Sequence, residues 1–182
     1  VHHIMGHIAA NYIQFPNLKP PFTALIVSGG HTNIAEVTDY TCCRVLGSTR
    51  DDAVGEAYDK VARVLGLGYP GGPKIDKIAK EGNPDAVHFK RVFLEKDSLD
   101  FSFSGLKTAV LNHINSAKQK GEEINRADIA ASFQQAVIEV ICQKAVAAAK
   151  DMGHGKLVIA GGVAANSKLR MELEQQCAQE SI

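Results

Sequence analysis

The sequence predicts a single α/β domain over residues 1–182. Short apolar runs with β-branched members, as buried strands require, lead directly into glycine-rich turns. Segments whose apolar residues recur every three and four positions lie between these turns, and that spacing is typical of helices. Strands that alternate with helices in this way form an α/β architecture. A chain of 182 residues can build one ordinary core but is too short for two full domains.

The first third of the chain predicts one helix and a small meander of strands. The helix covers 3–11 and ends at the proline-rich stretch 15–21, because proline lacks an N–H donor and disfavours helical backbone in the preceding residue. Residues 22–27 form a continuous apolar run, which indicates a buried strand. Two further strands are predicted over 33–38 and 42–46.

The remainder of the chain is predicted to be mostly helical. Helices are expected from Asp52 to Gly66, from Pro73 to Gly82, and over 105–120, 127–152 and 166–180. A capping box at 48–51 begins the first of these, and Asn125 caps the helix over 127–152. A buried strand is predicted over 156–160, and residues 83–102 show no sustained period and predict loop or short strand.

Composition and charge limit the class of protein. Lys plus Arg equals Asp plus Glu, 20 each, so a polynucleotide partner would need a local basic patch. The four cysteines lack C-x-x-C spacing and indicate reduced thiols. There is no apolar run of about 18 residues and no secretory signal, so we expect a cytoplasmic protein without a membrane segment. Because the chain starts at Val1 beside a histidine cluster, we expect a fragment of a longer protein.

The histidine cluster has the spacing of a metal site. His3 and His7 are four residues apart, so on a helix their imidazoles share one face and could bind one ion; ordinary surface histidines explain the same spacing. His2 lies about 100° around the helix from His3 and is the weaker candidate ligand. Zinc peptidases need Glu directly after the first His, and this chain has Ile4 there.

Three Gly-Gly pairs are candidate nucleotide-binding loops, in IVSGGHT (26–32), YPGGP (69–73) and IAGGVAAN (159–166). Glycine lets backbone N–H groups approach a phosphate or sugar that a Cβ would hold off. A hairpin turn explains the first pair equally well, and a tight strand-to-helix turn explains the third. Asn166 could both cap the last helix and bond a ribose or base. The chain has neither a Walker P-loop nor a G-x-G-x-x-G motif.

Acidic residues after the first Gly-Gly pair allow two interpretations. Asp51, Asp52, Glu56 and Asp59 cluster near one helix start. The spacings Glu56–Lys60 and Asp59–Arg63 indicate a solvated face with ion pairs. A carboxylate near a nucleotide would instead accept hydrogen bonds from ribose hydroxyls, and Asp76 is a similar candidate. Farther along the chain, the preferred interpretation of Phe101 and Phe103 is that they anchor the core. The second interpretation is that they form a platform on which a base stacks.

Six motifs, taken in order, resemble the tRNA threonylcarbamoyladenosine transferase family of the TsaD and KEOPS-subunit type, formerly labelled O-sialoglycoprotein endopeptidases. They are HHIMGH, IVSGGHT, DDAVGEAYDK, YPGGP, DFSFSGLKT and AGGVAAN, and they extend from residue 2 to residue 166. The resemblance implies an actin-like ATPase fold (ASKHA, RNase H-like) of two lobes, of which this chain holds mainly the second. It also implies transfer of threonylcarbamoyl from its adenylate to N6 of the adenosine beside the tRNA anticodon.

The resemblance also implies a set of ligands and partners. His3 and His7 would bind one divalent ion, iron or zinc, together with an aspartate that would fall beyond Ile182. An adenine nucleotide (threonylcarbamoyl-AMP, ATP or AMP) would be bound by Ile26, Val27, Ser28, Gly29, Gly30, Asp59, Gly72 and Asn166, with Asp76 as a further candidate. The implied partners are tRNA, a paralogous actin-like subunit, and an ATPase or kinase subunit.

Two departures from the family pattern affect these expectations. Met5 stands where the family usually has Glu, which removes any acidic role there. The N-terminal lobe of the family is missing, so we expect the isolated chain to be inactive. Two other functions stay open: a metallo-glycopeptidase, as the former label states, and a non-catalytic nucleotide-binding assembly module.

Overall fold

The computed structural model describes residues 3–182. Its elements, in chain order, are α1 (His3–Gln14), β1 (Phe22–Val27), β2 (Thr32–Asp39), β3 (Cys42–Ser48), α2 (Val54–Val64), α3 (Gly71–Ala79), α4 (Ser104–Lys120), α5 (Arg126–Met152), β4 (Leu157–Ala160) and α6 (Ser167–Gln179), with a 3-10 turn at Gly162–Ala165 before α6. Every predicted helix and strand is present, and the ends differ by a few residues. The α/β prediction is confirmed.

The sheet is mixed and covered on both faces. Its strand order is β3-β2-β1-β4, with β1 antiparallel to β2 and parallel to β4. Leu25 and Val27 of β1 pack in the larger core with α2 to α6, whereas Ala24 and Ile26 pack in a smaller core with α1. All of β1 is therefore buried, which explains why its sequence is continuously apolar.

The long helix α5 runs through the larger core and has the predicted cap. Asn125 Oδ1 accepts hydrogen bonds from the N–H groups of Ala127 and Asp128 at 2.9 and 3.3 Å. These bonds satisfy two of the helix's free first-turn donors. The helix ends at Gly153, which has left-handed backbone with φ 68°.

The capping box predicted at 48–51 is wrong. Helix α2 begins at Val54, and no side chain of its own first turn caps it. Thr32 Oγ1, from the start of β2, accepts the Val54 N–H at 2.8 Å instead. Asp51 turns away to α4, where its carboxylate accepts from the Phe103 N–H at 2.8 Å and from the Ser104 hydroxyl at 2.9 Å. A tertiary contact has replaced the local cap.

Helix α3 begins at Gly71, earlier than predicted. Pro73 is its third residue, where the missing N–H would have had no partner within the helix. The start is fixed by Asp59 of α2, whose Oδ1 accepts the Gly71 N–H at 2.7 Å. The second Gly-Gly pair is therefore the first turn of a helix.

Residues 83–102 contain no helix or extended strand and are held by side chains. Phe101 and Phe103 are fully buried and stack with ring centroids 5.8 Å apart, so the core-anchor interpretation is confirmed. Buried Lys144 of α5 donates to the Ser98 carbonyl at 2.6 Å. Arg91 forms a two-pronged ion pair with Glu139 of α5. These bonds replace a regular backbone ladder.

The cysteines and ion pairs largely match expectation. All four cysteines are free, and burial raises the pKa of the Cys142 thiol to about 12. The predicted Glu56–Lys60 ion pair forms at 2.7 Å. Asp59 and Arg63 form no ion pair in the part of the chain that the structure describes. Within residues 3–182, no helix combines the length and apolar character needed to cross a membrane.

Candidate functional site

A cleft of about 540 Å³ opens where the three Gly-Gly turns come together, and we call it the glycine cleft. Its walls are the turn after β1, the first turns of α2 and α3, and the 3-10 turn before α6. The lining residues are Gly29, Gly55, Tyr58, Asp59, Tyr69, Pro70, Gly72, Pro73, Asp76, Lys77, Lys80, Gly162, Val163, Ala165 and Asn166. Turns separated by up to about 130 positions in sequence thus face one space.

Five predicted nucleotide-binding residues line the glycine cleft: Gly29, Asp59, Gly72, Asp76 and Asn166. The other four do not line it. Ile26 and Val27 are fully buried in β1, so their side chains are unavailable to a ligand. Ser28 Oγ accepts the His31 N–H at 3.0 Å and closes the turn, and Gly30 is exposed on it.

Close packing of two glycines fixes the cleft walls. A Cβ on Gly55 would lie 2.7 Å from the Gly29 Cα and from the Ser28 carbonyl oxygen. A Cβ on Gly161, which has φ +98°, would lie 2.2 Å from the Val27 carbonyl oxygen. Helix α2 and the 3-10 turn can therefore approach the end of β1 only because both positions lack a side chain.

The glycines on the cleft surface have free space in front of them. An added Cβ on Gly29, Gly72 or Gly162 would meet no atom within 4 Å. These glycines line the cleft with no side chain to shield their backbone. This is the arrangement needed for close approach of a ligand to backbone N–H groups.

Two carboxylates and two lysines give the cleft its charge. Asp59 and Asp76 line it together with Lys77 and Lys80. Asp59 Oδ1 accepts a hydrogen bond from the Gly71 N–H, and the other carboxylate oxygen has no hydrogen-bond partner among residues 3–182. That oxygen can accept a further hydrogen bond.

Asn166 and Asp76 are held by structural hydrogen bonds. Asn166 Oδ1 caps α6 by accepting the Leu169 N–H at 2.9 Å, and its Nδ2 donates to Gln134 Oε1 at 2.8 Å. Asp76 accepts the Ser167 hydroxyl at 3.0 and 3.1 Å. These bonds fix the 3-10 turn and α6 against α3, so both residues shape the cleft as well as line it.

The histidines come together as a group of three. The Nε2 atoms of His3 and His7 are 3.2 Å apart, and the ring centroids of His3 and His31 are 4.8 Å apart. The pKa of His7 is lowered, mainly by partial burial and to a smaller extent by the neighbouring His3 and His31 rings. His2 lies outside the described residues. His31 follows the turn that carries Gly29, so the histidine group and the glycine cleft share one turn.

His3 and His7 fit two ligands of a metal ion. Two nitrogen ligands at about 2.1 Å from a tetrahedral ion are about 3.4 Å apart, close to the separation in this structure. A lowered pKa keeps the His7 imidazole neutral, which is the form that binds a metal. Within residues 3–182, no three His, Cys, Asp or Glu side chains are arranged to hold an ion. The described chain thus places two imidazole nitrogens at a separation that suits two ligands of one ion.

A larger groove of about 650 Å³ lies elsewhere, along the edge of β4 between α1 and α6. Leu157, Ile159 and Leu173 are among its mostly apolar lining residues. None of the predicted nucleotide or metal residues lines it. The predicted nucleotide and metal residues are therefore separate from this groove.

A family model described as tRNA N6-adenosine threonylcarbamoyltransferase, TsaD, matches residues 1–182. The chain belongs to this family. Proteins of that name from Clostridium botulinum strain 657 and from Moorella thermoacetica are 58% and 57% identical to it over all 182 residues. The match covers 54% and 53% of those relatives, so the chain spans about half their length.

Solved structures agree on the fold expected of this TsaD-family chain. Full-length HypF, in a phosphate- and nucleotide-bound form, matches all of the chain and 38% of its own length with TM-score 0.74 at 14% identity. Component A of (R)-2-hydroxyglutaryl-CoA dehydratase from Acidaminococcus fermentans matches 96% of the chain and 58% of its own length with TM-score 0.57 at 19% identity. The actin-like ATPase fold is therefore confirmed.

Four residues around the site of this TsaD-family chain were missed at the sequence level: Gly55, Tyr58, Gln134 and His31. Gly55 and His31 lie within motifs quoted above, but spacing alone gives neither of them a role. Tyr58 belongs to the apolar pattern of α2, Gln134 lies between core positions of α5, and both are buried. Only the fold reveals that Gln134 bonds to cleft residues from beneath.

Proposed function

We propose that this chain forms the adenylate-binding part of a tRNA N6-adenosine threonylcarbamoyltransferase. The observation that carries the proposal is the convergence of all three Gly-Gly turns, with Asp59, on one cleft of about 540 Å³. A cavity of this size is ordinary for a small-molecule or cofactor site. The matching family model describes a tRNA threonylcarbamoyltransferase, which supports threonylcarbamoyl-AMP as the proposed nucleotide, with AMP or ATP as related ligands.

The residues suit the parts of an adenylate in different ways. Backbone N–H groups near Gly29 and Gly72 would bind phosphate or carbamoyl oxygens, because no Cβ blocks them. The free oxygen of Asp59 would accept ribose hydroxyls. The small residues of the 3-10 turn, with Asn166 behind them, leave room for a flat adenine ring. Ile26, Val27, Ser28 and Gly30 would act through the backbone and the shape of the turn.

The proposed reaction of the whole protein is an acyl transfer. The N6 amine of a tRNA adenosine attacks the carbamoyl carbon, a C–N bond forms, the bond to the AMP oxygen breaks, and the amine loses a proton. Iron or zinc bound through His3 and His7 would supply Lewis-acid polarisation of the acyl carbonyl. The protein's own contribution is to orient the adenylate in the cleft beside the turn that also carries His31.

The partners are part of the same proposal. We propose tRNA as the acceptor, and a paralogous actin-like subunit with an ATPase or kinase subunit as the assembly partners. A cytoplasmic location follows from these partners. In a protein as long as the curated relatives, the remaining residues would supply the other lobe and a third metal ligand. The isolated 182-residue chain is therefore expected to bind nucleotide without turnover.

Calorimetric titration of AMP into the chain tests the binding step. Gly72→Val should abolish binding, because its side chain projects into space that the ligand needs, and a Cβ there meets no protein atom within 4 Å. Gly105→Val is the matched control, since Gly105 also has free space around it but lies at the start of α4, outside the cleft. Equal affinity of Gly72→Val and the unchanged chain would contradict the proposed site.

Activity of the whole protein tests the reaction. The 182-residue segment is expressed within a protein as long as the curated relatives and combined with the proposed partners. Modified adenosine in tRNA is then measured by mass spectrometry. A His3→Ala, His7→Ala double variant with full turnover would remove the metal pair from the mechanism. The metallopeptidase alternative is not supported, because buried Ile4 stands where such an enzyme has its Glu. The same experiment tests the assembly-module alternative: such a module would bind AMP, but the histidine substitutions would not affect tRNA modification.

A further inference from the structure

Gln134 of α5 lies beneath the glycine cleft, with only 2% of its surface exposed. It lines a smaller cavity of about 340 Å³, which shares Asp76 and Lys80 with the cleft. Its side chain reaches three different elements of the cleft wall. A buried amide in such a place must have its hydrogen bonds satisfied, so its partners are informative.

The amide of Gln134 connects α2, α3 and the turn before α6. Its Oε1 accepts from Asn166 Nδ2 at 2.8 Å and from the Tyr58 hydroxyl at 3.4 Å. Its Nε2 donates to Asp76 Oδ1 at 3.4 Å. Tyr58, Asp76 and Asn166 all line the glycine cleft, so one side chain bonds to three of its walls.

We propose that Gln134 is a positioning residue of the nucleotide site, which sets the spacing of the cleft walls without touching the ligand. The inference rests on the proposed function. Two of the partners are donors and the third is a carboxylate acceptor, so the central group must accept on one side and donate on the other. A neutral amide satisfies this polarity, and so does a protonated acid of the same shape, whereas an ionised carboxylate can only accept.

Charged and titratable groups near this amide come from α2, α3 and α6. Asp76 and Lys80 come from α3, with Lys80 Nζ 3.9 Å from the Asp76 carboxylate, and Tyr58 comes from α2. Lys168 of α6 lines the same small cavity. An ionised carboxylate in place of the amide would face Asp76 directly and repel it, and a neutral acid would restore the hydrogen bonds.

The test compares Gln134→Glu and Gln134→Leu with Gln135→Glu in titrations with AMP at about pH 8 and about pH 5.5. Gln135 is the matched control, because its Nε2 donates to the Glu139 carboxylate at 2.6 Å outside the cleft. Gln135→Glu therefore also sets two carboxylates side by side on α5. Urea unfolding of each variant, at both pH values, shows that it is folded.

We expect Gln134→Glu to bind AMP about tenfold more weakly than the unchanged chain at the higher pH and to recover at the lower pH. Gln134→Leu should be weak at both pH values, because it leaves the buried Asn166 amide and Tyr58 hydroxyl without their acceptor and removes one donor from the Asp76 carboxylate. Gln135→Glu should follow the unchanged chain throughout. If Gln134→Leu does not fold, the pH recovery of Gln134→Glu alone decides.

Two results would overturn this inference and leave the proposed function standing. One is that Gln134→Glu binds AMP as tightly as the unchanged chain at both pH values. The other is that a folded Gln134→Glu loses affinity with no recovery at low pH, as a purely structural role would predict. Absence of AMP binding by the unchanged chain is a different result: it would overturn the proposed function, and this inference with it.

Discussion

The glycines around the glycine cleft fall into two groups according to what a side chain would meet. At Gly55 and Gly161, an added Cβ would lie 2.7 Å or less from backbone atoms of the β1 turn. At Gly29, Gly72 and Gly162, it would meet nothing within 4 Å. The first group is needed for the protein to fold around the cleft, and the second leaves space for a ligand.

A pair of alanine substitutions separates these two roles. Gly55→Ala should lower the free energy of unfolding by about 1–3 kcal/mol, because backbone cannot move aside as a flexible side chain can. Gly72→Ala should leave it unchanged or raise it by up to about 1 kcal/mol, since the residue is helical and unobstructed. Urea unfolding of both variants measures the difference. Equal stability of the two would show that the contact at Gly55 relaxes freely.

At the scale of elements, the long segment between α3 and α4 is fixed by side chains of α5. Arg91 donates to both carboxylate oxygens of Glu139, and Lys144 donates to the carbonyls of Ser98 and Asp100. The Arg91 hydrogen bonds lower the pKa of the Glu139 carboxyl. The ion pair is mostly buried on the Arg91 side, so solvent screens it only in part.

Acid should therefore weaken the hold of α5 on this segment. A carboxyl whose pKa is lowered in the folded state adds stability at neutral pH, and that stability is lost as pH falls through the folded-state value. Glu139→Gln should cost about 1 kcal/mol near neutral pH and flatten the fall in stability below about pH 4.5. Urea unfolding across this pH range provides the measurement. A parallel fall in the variant and the unchanged chain would assign the acid sensitivity to other carboxylates.

The elements were predictable because their signals are local, whereas their junctions were not. Asn125 caps α5 as its sequence position indicates, since the cap and its N–H partners are adjacent in the chain. The start of α2 was mispredicted because Thr32, 22 positions away, supplies the cap and Asp51 bonds to α4 instead. Gln134 could not be recognised for the same reason, since its partners come from three other elements.

At the scale of the whole molecule, the glycine cleft joins parts of the chain that are far apart in sequence. The turn after β1, the start of α3 and the turn before α6 each contribute one free glycine and one wall. A ligand that contacts the walls formed by these three segments binds the folded chain and has no equivalent site in the unfolded one. Nucleotide binding should therefore be coupled to global stability, not only to the order of one loop.

Thermal unfolding with AMP measures this coupling. At a ligand concentration about 100 times the dissociation constant, binding adds about 2.7 kcal/mol, which for a chain of this size raises Tm by about 5–10 °C. Gly72→Val should have the Tm of the unchanged chain without AMP and show no rise with it, because its side chain occupies ligand space without disturbing the core. Gly105→Val should show the full rise. If AMP raised the Tm of Gly72→Val and the unchanged chain equally, the nucleotide would have to bind outside the glycine cleft, because the α3 wall would then contribute nothing.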